Sequence, residues 1–113
     1  LEIRRTSRII YVKMPDGDKA WLRYSIENGR MKLIETYTPP QHRGKGLARM
    51  LTDHAIKLAE EKGLVVEPIC SYSVYYFIKN PEKRKLLAPE YQGIDLKKLF
   101  EQRLAEEKAK NKG

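Results

Sequence analysis

The chain is poor in the residues that build covalently or metal-tied scaffolds. Among its 113 residues there is one cysteine, Cys70, so no internal disulfide can form, and a reducing compartment suits it. The two histidines, His42 and His54, stand with Cys70 and the carboxylates in no metal-ligating spacing. No apolar run approaches the ~20 residues of a membrane span. The opening LEIRRTSRIIYVKM lacks the sustained apolar segment and small-residue cleavage site of a secretory signal. Internal repeats and low-complexity segments are also missing. These absences lead to the expectation of a cytoplasmic protein with one domain, working without metal or membrane.

What is plentiful is charge. The formal net charge is +8, which favours an anionic partner: nucleic acid, a phosphorylated cofactor or an acidic surface. The basic residues are dispersed, with Arg4, Arg5 and Arg8 at the start, Arg43 and Lys45 centrally, and Lys83–Lys85 later. A solvated surface accounts for most of them as well as a binding face does.

Periodicity divides the chain. SRIIYVKM, KAWLRYSIE and RMKLIETY read as strands, joined by the turn signals PDGD and NG. Three antiparallel strands are therefore expected. Thr38-Pro39-Pro40 ends the third, because proline donates no ladder bond. Leu47, Leu51, Ala55, Leu58 and Ala59 then recur at helical spacing up to Gly63. LVVEP reads as a fourth strand. Cys70–Pro81 is ambiguous: its Tyr, Val, Phe and Ile favour a strand, while Tyr72, Tyr76 and Asn80 recur every four residues. Pro81 suits the opening of a further helical turn through Leu87. From Asp95, a plausible N-cap, Leu96, Leu99, Phe100 and Leu104 form the stripe of an amphipathic helix, with KAKNKG frayed at the end. The expected class is α+β, with one domain over residues 1–90 and a helical extension over 91–113.

The chemistry concentrates in TPPQHRGKGLARML. It is a strand end, a turn and a helix start, with Gly44 and Gly46 at that start. A first helical turn offers free N–H groups and the positive end of the dipole. Glycines let an anion approach, and Arg43 and Lys45 add charge. A phosphate or pyrophosphate cradle is one reading; a helix that merely follows a glycine turn is the other. The spacing is neither a P-loop nor a dinucleotide fingerprint.

QHRGKGLA also matches the Q/R-x-x-G-x-G/A pattern of the GNAT acyltransferase superfamily. AWLRYSIENGRMKLIETYTPP before it, and VEPIC and YFIKNP after it, resemble that superfamily's smallest branch, with its Y-T-x-V/P-P, R-G-x-G, P-x-C and Y-x-x-x-H/N-P segments. The similarity runs from about Arg8 to Leu87. It implies a truncated GNAT fold and acetyl-CoA as cofactor. By resemblance, Arg43, Gly44, Lys45, Gly46, Leu47 and Ala48 hold the pyrophosphate. Thr36, Tyr37 and Thr38 end the strand that pairs with the pantetheine arm. Tyr76 and Asn80 lie beside the cofactor, and Cys70 lies near the thioester. Asn80 stands where many relatives carry His, so it supplies no titratable imidazole.

Acyl transfer needs an oriented thioester, a polarised carbonyl and a proton acceptor for the amine. A main-chain N–H near Tyr37 suits the second task. For the third, Cys70 at a helix start could be a thiolate, acting as nucleophile or base, or a small buried hydrophobe. Glu35 could act through water or face outward as a surface carboxylate. His54 reads as a hydrogen-bonded, partly buried side chain and His42 as a neighbour of phosphate. Tyr72, Tyr75 and Tyr76 could protonate a leaving thiolate, with Tyr76 expected closest to the cofactor; packing is the alternative.

The leading function is transfer of an acetyl group from acetyl-CoA to an amine, in a monomer or weak homodimer. A CoA-binding module with little transfer is the alternative. A nucleic-acid-binding protein comes third, since the charge is dispersed and no aromatic-basic platform is visible along the chain.

Overall fold

In a computed structural model, residues 1–111 are described. The elements are β1 (Ile3–Arg5), β2 (Ile9–Lys13), β3 (Lys19–Glu27), β4 (Arg30–Tyr37), α1 (Leu47–Lys62), β5 (Val65–Pro68), α2 (Ser71–Lys79) and α3 (Leu96–Asn111), with short 3-10 turns at Pro40–His42, Pro81–Leu86 and Pro89–Tyr91. One sheet runs in the order β1-β2-β3-β4-β5. Its first four strands are antiparallel, and β5 joins β4 in parallel.

The class is α+β, with the expected strands and central helix in place. One strand went unread: β1, whose IRR carries no alternating apolar signal. It is an edge strand, held by pairing Ile3–Arg5 with Ile10–Val12. Asn28 and Gly29 take φ of 52° and 76°, the double positive geometry of a two-residue hairpin turn. Every residue of the expected apolar helical stripe is buried. That stripe covers one sheet face, where Ile10, Val12, Leu22, Met31 and Leu33 are fully enclosed. The opposite face, with Tyr11, Trp21, Arg23 and Lys32, has no helix over it, and its side chains are half-buried or exposed.

The ambiguous Cys70–Pro81 stretch is helical over Ser71–Lys79, burying Ser73, Val74, Tyr76 and Phe77. Tertiary packing overrides strand propensity there. After the turn at Pro81 the chain returns to β5, where Ala88 donates its N–H to the Val66 carbonyl at 2.9 Å. Asp95 caps α3 through the amides of Lys97 and Lys98, at 3.0 and 3.2 Å. Leu96 is buried, and Leu99 and Phe100 pack against the core, while Leu104 is half-buried. Lys108–Asn111 continue the helix instead of fraying; Lys112 and Gly113 lie outside the described residues.

Candidate active site

A bulge decides which side chains reach the site. Arg23 pairs with Glu35 and Tyr24 with Leu33, so Ile34 has no opposite residue. Strict alternation from the buried Leu33 would have turned Glu35 toward the helices. The extra residue inverts the parity: Thr36 lies opposite Leu22, on the helix side, and Glu35 and Tyr37 lie opposite Arg23 and Trp21 on the open face. Glu35 is there ion-paired with Arg23, each side chain half-exposed.

At the same place the sheet opens. The amides of Ile69 and Cys70 both donate to the Leu33 carbonyl, at 3.0 and 3.1 Å, and the chain then turns into α2. Among the described residues no ladder pair joins β4 to β5 beyond Leu33. The β5-side edge of Glu35–Tyr37 is left without a strand partner.

A cleft of about 410 Å³ fills the opening, lined by Thr36, Tyr37, Thr38, His42, Arg43, Gly44, Gly46, Leu47, Ala48, Arg49 and Tyr72. One wall is the end of β4 and another the start of α1. Gly44 and Gly46 have φ of 82° and 75°, which L side chains rarely adopt. No side chain caps α1, so its first amides lack partners within the helix. Arg43 is anchored by its Nε–H, which donates to the Thr38 carbonyl at 3.2 Å.

Lys45 is absent from the lining; its ammonium donates to Nδ1 of His42 at 3.1 Å. The other ring nitrogen, Nε2, lies 2.7 Å from the Asp16 carboxylate. Gln41 also donates to Asp18. The cradle loop is thus tied to the β2–β3 hairpin. Asp16 is held below the usual carboxylate range, first by the Asp18 amide and then by His42.

Cys70 is buried, and its thiol is pushed up by desolvation rather than lowered by the helix start. The expected free N–H is taken: Glu107 of α3 accepts from the Ser71 amide at 2.8 Å and from the Ser71 hydroxyl at 2.6 Å. Hydrogen bonds with Ser73 oppose the rise of the thiol, and the Glu107 charge adds to it by a lesser amount than Ser73 takes away. The thiol lies beside Thr36, but Cys70 is not among the residues that line the cleft.

Tyr76 and Asn80 line a neighbouring hollow of about 350 Å³, with Arg49, Tyr72, Tyr75 and Lys79. The Tyr76 hydroxyl donates to Asp53 at 2.6 Å, and burial and that carboxylate push its pKa well up. Asn80 Nδ2 donates to the Tyr76 carbonyl at 2.8 Å. The main cleft instead holds Tyr37 and Tyr72, the latter with its pKa raised by burial and by Asp53. Arg49 was also missed, although its place in the first turn after Gly46 was a readable sign. It borders both hollows and forms a 3.8 Å ion pair with Asp53. His54 is half-buried, 3.3 Å from Arg5, with its pKa lowered by burial and then by Arg5.

This splayed sheet and glycine-turned helix start define an acyltransferase of the GNAT class. The family model for GCN5-related N-acetyltransferases matches residues 9–86, and the chain belongs to that family. A solution NMR structure of a GCN5-like candidate N-acetyltransferase from Staphylococcus aureus has the same fold, at a TM-score of 0.64 and 18% identity over 83% of this chain and 97% of that one. No curated protein matches the sequence. Among the described residues no helix is long and apolar enough to cross a membrane, and no cluster of His, Cys, Asp and Glu could hold a metal ion.

Proposed function

We propose that the chain transfers an acetyl group from acetyl-CoA to an amine, holding the cofactor pyrophosphate at the start of α1 and the pantetheine arm along β4. The observation that carries this reading is the meeting, in one cleft, of an uncapped helix start and an unpaired strand edge. The residues fit the group. Amides at Gly44–Ala48 donate to phosphate oxygens, and Gly44 and Gly46 keep that backbone bare. Arg43 and Arg49 supply charge from either side. Thr36–Thr38 offer backbone groups to the amides of an extended arm, as a missing strand would. Tyr76 and Asn80 border the cofactor from the adjoining hollow. When bound, acetyl-CoA supplies the activated acyl group.

In this reading a main-chain N–H near Tyr37 polarises the thioester carbonyl. Tyr72, kept protonated by burial, is one hydroxyl of the cleft able to donate a proton to a thiolate. The deprotonating group is less plain: Glu35 faces away, and Cys70 is a poor thiolate. That pair of observations favours, as the second reading, a CoA-binding module with little transfer.

Isothermal titration with acetyl-CoA and CoA tests binding. Turnover of acetyl-CoA against small amines, peptide N-termini and lysine peptides then separates the readings. Absence of heat with either cofactor overturns both; heat without turnover leaves the second.

A further inference from the structure

The open sheet face carries a pattern the linear sequence hides. Arg4 pairs with Tyr11, Tyr11 with Trp21, and Trp21 with Tyr37, one residue from each of four neighbouring strands. At ~4.8 Å per strand this row spans roughly 14 Å. The Trp21 and Tyr37 rings lie 5.6 Å apart at 31°. Two lysines flank the row on one side: Lys19 Nζ sits 5.2 Å from the Tyr11 ring centre, and Lys13 stands directly opposite Lys19. Among the described residues neither lysine has an ion-pair partner. Like charges placed directly opposite cost stability, and an anion between them would relieve that cost. A hollow of about 480 Å³ is present there, lined by Arg4, Tyr11, Lys13, Lys19 and one acid, Glu2.

We propose that this face binds single-stranded nucleic acid, with bases on the Tyr11–Trp21–Tyr37 row and phosphates at Lys13 and Lys19. The row is long enough for roughly two to three bases, as on other aromatic sheet platforms. Charge complementarity selects the class of partner. A second copy of this face would bring lysine against lysine, and an apolar partner would strand the lysines without counter-charge. An acidic polypeptide would satisfy the lysines but would gain little from three aligned aromatic rings. The proposal does not rest on the acyltransferase reading: Lys13, Lys19, Tyr11 and Trp21 are all absent from the cleft lining, and Tyr37 is the residue the two sites share.

Trp21 is the chain's single tryptophan, so its fluorescence reports directly on the row. Titrate oligodeoxythymidine, oligouridine, a duplex of equal length and poly-L-glutamate at low salt. Saturable quenching by the single strands, weaker with duplex and absent with polyglutamate, is expected. The Lys13→Glu/Lys19→Glu variant should bind a labelled single strand more than tenfold more weakly, and Tyr11→Ala about tenfold more weakly by anisotropy. Both lysines are exposed, and an unchanged melting curve establishes that the double variant is folded. The proposal is overturned by no quenching at low salt, by equal or tighter binding of polyglutamate, or by single-strand affinity indifferent to the lysine pair. CoA titration run in parallel tests the acyltransferase reading separately, and its failure would leave this outcome untouched.

Discussion

At the residue scale, Gly46 shows how a backbone requirement becomes a functional one. A Cβ there would meet nothing within 4 Å, so packing does not demand glycine. The positive φ and the bare amides do. Gly46→Asp should reduce CoA affinity more than tenfold by calorimetry, because it strains the turn and aims a carboxylate at the phosphate site; wild-type affinity would show that the pyrophosphate lies elsewhere. Tyr76 allows a second test. Its hydroxyl bond to the half-exposed Asp53 should make Tyr76→Phe less stable by about 1 kcal/mol at neutral pH. Because the folded pKa is raised above the ordinary tyrosine value of about 10, stabilisation is fully present below pH ~10 and is lost as the pH rises from there through the folded pKa. The wild-type advantage in Tm should therefore shrink from pH ~10 upward, and an advantage that grows there would refute the assignment. Cys70 completes the set. Iodoacetamide should label it slowly at neutral pH and more slowly with CoA bound, whereas Glu107→Gln should speed labelling by removing a charge that raises the thiol.

At the scale of elements, α3 is the part the family pattern does not reach, since the match ends at residue 86. It nonetheless packs on α2 through Phe100 and Tyr75, whose rings are 6.0 Å apart, and ties off the start of α2 through Glu107. Deleting residues 95–113 uncovers Leu96, Leu99 and Phe100, with a gross burial of ~1.5–3 kcal/mol for each fully enclosed side chain. A clear fall in Tm is expected, with CoA affinity within a few-fold of wild type, because the cleft walls come from β4 and α1. Unchanged melting would mean that the helix adds nothing to the fold.

Across the whole molecule, the cleft proposed for the cofactor is tied to a hairpin that does not line it. Asp16 holds His42, which holds Lys45, across 26 residues of sequence. Asp16→Asn should weaken CoA binding several-fold while the far-ultraviolet CD spectrum stays unchanged, since the bond positions a loop and supports no core element. Raising salt from 50 to 500 mM should also weaken CoA binding modestly, because Arg43 and Arg49 act at the exposed mouth of the cleft; a salt-independent affinity would point to an apolar site.

The sequence by itself determined the hairpins, the central helix with its stop at Gly63, the capped terminal helix and the glycine-rich turn. Each rests on local physics: Asn28-Gly29 for a tight turn, apolar residues at helical spacing for a buried face, Asp95 for a cap, and glycines where φ must be positive. Tertiary structure decided the rest. The bulge at Ile34 reversed the facing of Glu35 and Thr36, and no local signal marks a register shift that is set across two strands. Burial decided between the two readings of Cys70, pushing its thiol up, with Glu107, 37 residues away in the chain, adding to the rise. Pairing alone built β1 from IRR, and the order of strands gathered Tyr11, Trp21 and Tyr37 into one row. Side-chain direction along a strand is a local property until a bulge or a neighbouring strand intervenes, whereas electrostatic environment and adjacency across a sheet exist only once the chain has packed.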